Sequence, residues 1–455
     1  MLAPVDNEEA ATHAARAAAE APAPPTPIGE ALASEMVPEP APRSVIARRY
    51  WTVVGSHAVV DIYPVFFASM VLLLTEHLGL RSWQIATVYA VSQILSGFPQ
   101  GLAAWASDKY DTRLCGPIGL LLSAVCSCLI GFAADFWQLL ILLSIAQIGN
   151  GMYHPIGAAL SGQLGAGVLR HGRALAVSIF FAAGMLGQVI GPHLSTETAQ
   201  RFGLRHLVWL AIPGVITAGI LFVATRHMKH REHNHHEIHA SLGRAEMRRR
   251  WGAVWALYFG NALRFIVNTA MFVLFPVWAS AHIPGDTRAA TALNANLIVA
   301  MTIGMGIAAI FTARIVPPGR ERGAIVILAV LGSAATAVTG FAGDHVGMWA
   351  MYLAAALTAL GFAAVLPLTI GLAQRLLPGR TGLASGLMMG CSWAPAAVAA
   401  PLAEVFLGAR LNAAKDLPLD QINTAFVWFA GLLLLGGLLI LVIPGDLIRK
   451  VANHR

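Results

Sequence analysis

Charged residues are scarce in this 455-residue chain, where Asp, Glu, Lys and Arg together make up 12%. A soluble domain carries about 25% of these residues. Hydrophobic residues reach 57%. Because so little charge is available to cover a water-facing surface, the composition excludes an ordinary soluble fold and predicts an all-α membrane protein.

Cysteine and the motifs of common enzymes are also scarce or missing. The four cysteines, Cys115, Cys126, Cys128 and Cys391, lie in apolar surroundings without metal or redox spacing. The chain has no HExxH sequence and no glycine-rich phosphate loop ending in Lys-Ser/Thr. We therefore expect no enzyme activity, no bound cofactor, no disulfide and no ATP-driven transport.

Apolar runs of about 20 residues, the length that crosses a bilayer, recur along the chain. We predict twelve spans, at 51–77, 84–106, 114–134, 137–161, 174–198, 205–225, 252–281, 290–313, 323–342, 348–374, 382–408 and 423–444. An even number places both termini on one side of the membrane. Lys and Arg accumulate in the loops on that side, which predicts cytoplasmic termini. The net charge of +7 follows from this asymmetry, so we expect no nucleic-acid partner.

Segments outside the spans divide the chain into regions. Residues 1–49, rich in Ala, Pro and Glu, are predicted to be a disordered cytoplasmic tail, and 446–455 a second cytoplasmic tail. A polar linker, 227–250, separates an N-terminal half, 50–226, from a C-terminal half, 251–445. The linker contains His227, His230, His233, His235, His236 and His239. This cluster either binds a transition metal or is part of a solvated basic loop.

The two halves share a short sequence pattern. Gly172-Arg173-Ala174 followed by Ser178 corresponds to Gly379-Arg380-Thr381 followed by Ser385 at a constant offset. Parallel repeats of six spans are typical of transporters that bind substrate between the halves, near the bilayer midplane. The pattern therefore favours two six-helix halves.

Ionisable residues inside the first span point to chemistry within the bilayer, because such residues usually face a protein interior or a water-filled path. His57 and Asp61, four residues apart, lie on one helix face and can share a proton or a hydrogen bond. We predict that Asp61, with His57, carries protons. In the alternative, Asp61 stays ionised and pairs with Arg264 of the seventh span.

Arg264 either holds an anionic substrate or is the structural partner of Asp61. His154, beside Pro155, either lines the substrate cavity or hydrogen bonds to opened backbone. The remaining candidates for the cavity wall are Asn150, Gln93, Asn261 and Trp393. For the amides the alternative is to join helices, and for the tryptophan it is to pack.

Two motifs resemble signatures of the major facilitator superfamily. Asp108-Lys109-Tyr110-Asp111-Thr112-Arg113, after the second span, is similar to its charged loop signature. The resemblance implies that Asp108, Lys109 and Arg113 form a turn that locks one conformation; the alternative is a solvated turn. GMLGQVIGPHL in the fifth span, with Gly187, Gly191 and Pro192, resembles the GxxxGP antiporter signature. The alternative is a plain packing face.

A further resemblance, from His57 to Glu404, is to the fosmidomycin-resistance branch of that superfamily. It rests on His57-x3-Asp61-x2-Pro64, on GNGMYHPIGAA with His154-Pro155, on Arg173 with Ser178, on Arg264, and on ASGLMMGCSWA. It implies a monomeric, proton-coupled antiporter of a bacterial inner membrane that exports a drug or a small anionic metabolite. Its partners would be that substrate, protons and the lipid bilayer. An uptake symporter and a membrane receptor without transport remain alternatives.

Overall fold

The computed structural model describes residues 42–107, 112, 114–169, 172–226, 243–377, 380, 383–384, 386–413 and 416–453. Within these ranges the regular elements are helices, and no strand occurs among them. Ten helical segments are long and apolar enough to cross a bilayer, and the first two predicted spans supply further helices. The prediction of an all-α membrane protein with twelve spans is confirmed.

The first and tenth spans are each broken into two helices. The first six spans contain Arg43–Val60 with Phe66–Leu78, Ser82–Ser107, Cys115–Leu129, Phe136–Ala166, Gly172–Phe202 and Ala211–Thr225. The last six contain Arg244–His282, Thr287–Ile315, Glu321–His345, Met348–Phe362 with Leu366–Leu376, Ala399–Leu407 and Leu419–Leu438. A π-helical turn, Gly386–Gly390, belongs to the eleventh span. Short 3-10 helices extend the third, sixth, eleventh and twelfth spans at Ile130–Phe132, Leu204–Leu210, Cys391–Val398 and Leu439–Val442.

Three boundaries differ from those predicted. The first helix begins at Arg43, so residues 43–49 of the predicted disordered tail are helical. The seventh span begins at Arg244, inside the predicted linker, and its first turns carry an Arg250–Glu246 ion pair four residues apart. The predicted C-terminal tail contains the helix Gly445–Asn453, whose Leu447 and Ile448 are buried against the C-terminal half. The N-terminal tail to residue 41 and the linker from 227 to 242 lie outside the described residues.

The apolar core is shared between the halves at one end of the spans. There the helix Phe66–Leu78 packs with side chains from both halves, including Tyr89, Trp278 and Phe426. Two further clusters each come from a single half. One contains Tyr50, Leu120 and Leu221 of the N-terminal half, and the other contains Val254, Leu372 and Leu447 of the C-terminal half. The halves therefore bury apolar surface together at one end and separately at the other.

The second and eleventh spans also meet between the halves, and glycine permits their close approach. A Cβ atom on Gly97 would lie 2.7 Å from the carbonyl oxygen of Gly390. Only hydrogen at this position leaves room for the two backbones. The contact joins the halves beside Trp393, whose Cβ would be 3.0 Å from that added atom.

Candidate functional site

The first span is broken beside Asp61. Pro64 has no N–H to donate to the carbonyl oxygen of Val60, four residues earlier. In a continuous helix its ring would also clash with that carbonyl group. The helix ends at Val60, whose carbonyl accepts instead from Tyr63 N at 3.4 Å, and a new helix begins at Phe66. Asp61 occupies the first position of this turn and is 2% exposed. The break thus places a carboxyl group inside the N-terminal half.

Three side chains surround the Asp61 carboxyl group. His154 Nε2, from the fourth span, lies 3.0 Å from Oδ1. Gln188 Nε2, from the fifth span, donates to Oδ2 at 3.0 Å. His57 Nε2 lies 3.5 Å from Oδ2 and makes no hydrogen bond. The predicted pair His57 and Asp61 is therefore in close contact, but His154 is the nearer imidazole.

Both imidazole rings are oriented by backbone carbonyls. His57 Nδ1 lies 2.6 Å from Phe180 O, and His154 Nδ1 lies 2.8 Å from Asn150 O. A carbonyl oxygen only accepts, so each Nδ1 carries the hydrogen and each neutral ring turns the lone pair of Nε2 toward Asp61. The contact between His154 Nε2 and Asp61 Oδ1 then holds one proton, on either atom. The hydrogen bond of His154 to the backbone matches one of its two predicted roles, and its place in a substrate cavity stays a prediction.

The fifth span packs tightly against these groups. Phe180 stacks on the His57 ring with centroids 3.8 Å apart. A Cβ on Gly184 would lie 2.5 Å from His57 Cε1 and 2.6 Å from Asp61 Oδ2. A Cβ on Gly187 would likewise crowd the backbone carbonyl of Ala58, and one on Gly191 would crowd that of Ile62. The glycines of the GxxxGP-like motif, followed by Pro192 within the continuous helix, thus form the face that packs on the first span.

Arg264, in the seventh span, is 4% exposed, as is Arg250 near the start of the same helix, which pairs with Glu246. Arg264 Nη1 donates to Asn261 Oδ1 at 2.6 Å and Arg264 Nη2 to Gly436 O at 3.0 Å. Its Nε has no partner. Among the described residues no carboxylate lies within 4.0 Å of the guanidinium. The alternative prediction that Asp61 pairs with Arg264 is wrong for this conformation, because Asp61 is turned toward the fourth and fifth spans.

The other predicted site residues have mixed surroundings. Asn261 also donates to Thr369 Oγ1 at 3.0 Å, so it joins the seventh and tenth spans. Trp393 packs on Phe265 with ring centroids 4.2 Å apart. Asn150 is buried with Oδ1 unpartnered, and Gln93 is partly exposed in the second span. Asp108, Lys109 and Arg113 lie outside the described residues.

Two polar residues escaped the reading of the sequence. Gln188, which bonds Asp61, lies four residues after Gly184 inside the glycine motif. Asn268 lies four residues after Arg264 and is buried. Asn261, Arg264 and Asn268 follow the three-and-four spacing of one helix face, a signal that was available in the sequence.

A profile of the Major Facilitator Superfamily matches residues 58–401. The chain belongs to this superfamily. The match runs from Ala58, near the end of the first helix, to the eleventh span, and so includes parts of both halves. The predicted membership is confirmed, and the chain is a multi-pass membrane protein of a transporter family.

Curated relatives include proteins named for drug resistance. The chain is 25% identical over 171 residues to the fosmidomycin resistance protein of Escherichia coli, covering 38% of this chain and 41% of that protein. It is 28% identical over 152 residues to the multidrug resistance protein MdtG of Salmonella paratyphi B, covering 33% and 34%. An uncharacterized MFS-type transporter of Bacillus subtilis, YfnC, is 23% identical over 167 residues, covering 37% and 39%. The chain thus spans about two fifths or less of the length of these three relatives.

Solved structures extend the likeness over nearly the whole chain. A bacterial homologue of the human lysosomal transporter Spinster, inward-facing and unoccupied, matches with a TM-score of 0.67 at 14% identity. The match covers 91% of this chain and 99% of that one. A bacterial homologue of the human peptide transporters PepT1 and PepT2 matches with a TM-score of 0.65 at 14% identity, covering 89% and 99%. At this identity the likeness shows the fold alone.

Proposed function

We propose that the protein is a proton-coupled antiporter that exports a small anionic compound, a drug or a metabolite, across a bacterial inner membrane. The observation that carries the proposal is the division of buried charge between the halves. The N-terminal half buries Asp61 between two imidazoles, and the C-terminal half buries Arg264 without a carboxylate partner in the described residues. One half is suited to a proton and the other to an anion.

The proton site needs no further residue. Asp61 and His154 hold one proton between Oδ1 and Nε2, so its arrival or departure changes the charge of a buried cluster by one unit. A buried charge without a counter-ion is unfavourable, and its removal alters how the cluster packs. Proton binding therefore has the free energy to bias one conformation over another.

The anion site follows from the donors of Arg264. A guanidinium has five N–H groups, and two hydrogen bonds are formed by Nη1 and Nη2 in this structure. The free donors match the two oxygens of a carboxylate or phosphate group. An anion bound there supplies the counter-charge that the C-terminal half lacks.

Alternating access is supported by where the halves are joined. Asn294 Nδ2 donates to Ala68 O at 2.9 Å, and Tyr89 Oη donates to Phe272 O at 3.0 Å. Ser82 Oγ donates to Asn412 Oδ1 at 2.5 Å. These bonds lie at the end that shares its apolar core, which is the predicted outer side. We propose that these bonds break when the outer side opens, and that both termini are cytoplasmic.

An uptake symporter remains the second candidate, because the same proton and anion sites serve either direction. The resistance names of two relatives favour export, since resistance requires a compound to leave the cell. A receptor without transport is less well supported, because it has no need of a buried Asp61 with a shared proton.

The test is flux in vesicles that contain the purified full chain and a pH-sensitive dye. A panel of small anions that includes fosmidomycin is offered under an imposed pH gradient. We expect substrate to move against the proton flow, and Asp61→Asn to abolish this exchange. Glu197→Gln, an exposed carboxylate-to-amide change on the fifth span, is the matched control. Movement of substrate with the protons would identify a symporter, and exchange that survives in Asp61→Asn would overturn the role of Asp61.

A further inference from the structure

We propose that His57, Asp61 and His154 form a binding site for a divalent transition-metal ion, with Zn²⁺ as the reference ion. The inference concerns the ligands of the cluster and holds whether or not the protein exchanges protons for an anion. It rests on the spacing of the ligand atoms, on their orientation, and on a buried imidazole nitrogen that has no hydrogen-bond partner.

The ligand atoms have the separations of a metal site. His154 Nε2 and Asp61 Oδ1 are 3.0 Å apart, His57 Nε2 and Asp61 Oδ2 are 3.5 Å apart, and one ligand atom from each residue fits within 4.8 Å of the others. Tetrahedral zinc with bonds of about 2.0–2.1 Å places neighbouring ligand atoms about 3.3 Å apart. Small rotations of the side chains therefore suffice to close the three groups around an ion.

The hydrogen bonds that orient the three ligand side chains are of the kind found in metal sites. A metal-binding histidine donates its other ring N–H to a carbonyl or carboxylate, which fixes the ring and aims the free nitrogen at the ion. Phe180 O and Asn150 O accept from the two Nδ1 atoms in this way. Gln188 donates to Asp61 Oδ2 and holds the carboxyl group in place. Each of the three ligand side chains is thus oriented by a hydrogen bond to a residue outside the cluster.

An unsatisfied nitrogen lies within the cluster. His57 is 1% exposed, and its Nε2 faces Asp61 without a hydrogen bond. A buried polar atom without a partner is unfavourable, and an ion that accepts its lone pair removes that penalty. The His154 side chain, 15% exposed, provides the route of entry.

The donor set selects the class of ion. Two imidazoles and one carboxylate suit zinc, cobalt, nickel or ferrous iron, whereas magnesium and calcium prefer sites made of oxygen atoms. The ligands come from the first and fourth spans, both in the N-terminal half. A bound ion therefore does not tie the two halves together.

The experiment uses the full chain with the six linker histidines changed to Gln, because these imidazoles are a second candidate site for the metal. Purified protein is titrated with ZnCl₂ alone by calorimetry. X-ray absorption at the zinc edge then counts the imidazole ligands in the otherwise intact protein. We expect one zinc per chain with two imidazoles, a readout that needs no change within the site.

Single variants locate the ion. His154→Gln and His57→Gln are expected to weaken zinc binding by at least about tenfold. His193→Gln, at an exposed position on the fifth span, and His345→Gln, in an exposed Asp-His-Asp group, are the controls and should leave the high-affinity site unchanged. Absence of stoichiometric binding, or a bound zinc without two imidazoles, would overturn the inference. Proton-driven exchange that persists in that case would leave the proposed function intact.

Discussion

The two halves of the protein handle buried charge in opposite ways. In the N-terminal half, Asp61 is surrounded by His57, His154 and Gln188. In the C-terminal half, Arg264 is met by an amide and a backbone carbonyl and keeps an unpartnered Nε. A cluster that supplies its own partners suits a small ion such as a proton. A cation left without a carboxylate suits a ligand that brings the missing charge. The comparison supports the proposal that one half couples to protons and the other recognises the substrate.

The largest expected effect is on anion binding, and substitution of Arg264 tests whether substrate recognition is separate from proton coupling. Arg264→Gln should weaken equilibrium binding of an anionic substrate by about a hundredfold or more, because two hydrogen bonds to a charged group contribute about 1.5–3 kcal/mol each. Binding is measured on purified protein with an anion that the vesicle assay identifies. Asp61→Asn should leave this affinity within a few fold. Equal losses of anion affinity in the two variants would mean that substrate recognition is not confined to the C-terminal half.

Substitution of either histidine beside Asp61 tests the proposed proton site. His154→Gln should slow proton-driven exchange by about tenfold or more, since a hydrogen bond to a charged group is worth about 1.5–3 kcal/mol and 1.4 kcal/mol is a factor of ten. His57→Gln should have the smaller effect, because its Nε2 is 3.5 Å from Asp61 and is not hydrogen bonded. Initial rates are compared at equal protein per vesicle. The reverse order would make His57 the main proton partner.

Packing behind the cluster gives an intermediate effect. Gly184→Ala inserts a methyl group 2.5 Å from His57 Cε1, and overpacking of this kind typically destabilises a protein by about 1–3 kcal/mol. We expect a lower melting temperature in detergent together with slower exchange. Gly55→Ala in the first span is the control, because its added Cβ meets no atom within 4 Å. Equal melting temperatures would show that the fifth span can move away without penalty.

The sequence was sufficient to predict the fold and the buried ionisable residues, but not which groups meet. Hydropathy predicts twelve spans, and a four-residue spacing brings His57 close to Asp61. The contact between His154 and Asp61 depends on how the fourth span packs against the first, which no local pattern encodes. Gln188 was missed because it is a polar residue inside a glycine motif. Arg264 was recognised as unusual by its depth, yet its separation from Asp61 required the tertiary structure.

An effect that is smaller for each hydrogen bond removed concerns the end where the halves share a core. Asn294→Ala removes two hydrogen bonds, to Ala68 O at 2.9 Å and to Ser69 O at 3.1 Å, each contributing about 0.5–1.5 kcal/mol. The population open at that end should rise by up to about a hundredfold, as read by distances between spin labels across it. Asn296→Ala, on the same span but bonded to Tyr352 within its own half, is the control. No difference between the two variants would remove Asn294 from the gate.

The smallest effect comes from charges of the C-terminal half that, unlike Arg264, are exposed and already paired. Arg249 donates to Asp446 Oδ2 at 2.7 Å and lowers the pKa of that carboxyl group. A depressed pKa contributes stability that is present above the unfolded value, near 3.9, and is lost as the pH falls through the folded pKa. Because solvent screens the pair, Asp446→Asn should change the melting temperature at pH 7 only slightly, and the difference should vanish in acid. A large change at neutral pH would mean that the helix Gly445–Asn453 depends on this pair more than on its buried Leu447 and Ile448. An ion pair would then stabilise the helix at the exposed end of the C-terminal half. Arg264, which has no such carboxylate among the described residues, would differ from the exposed arginines more clearly.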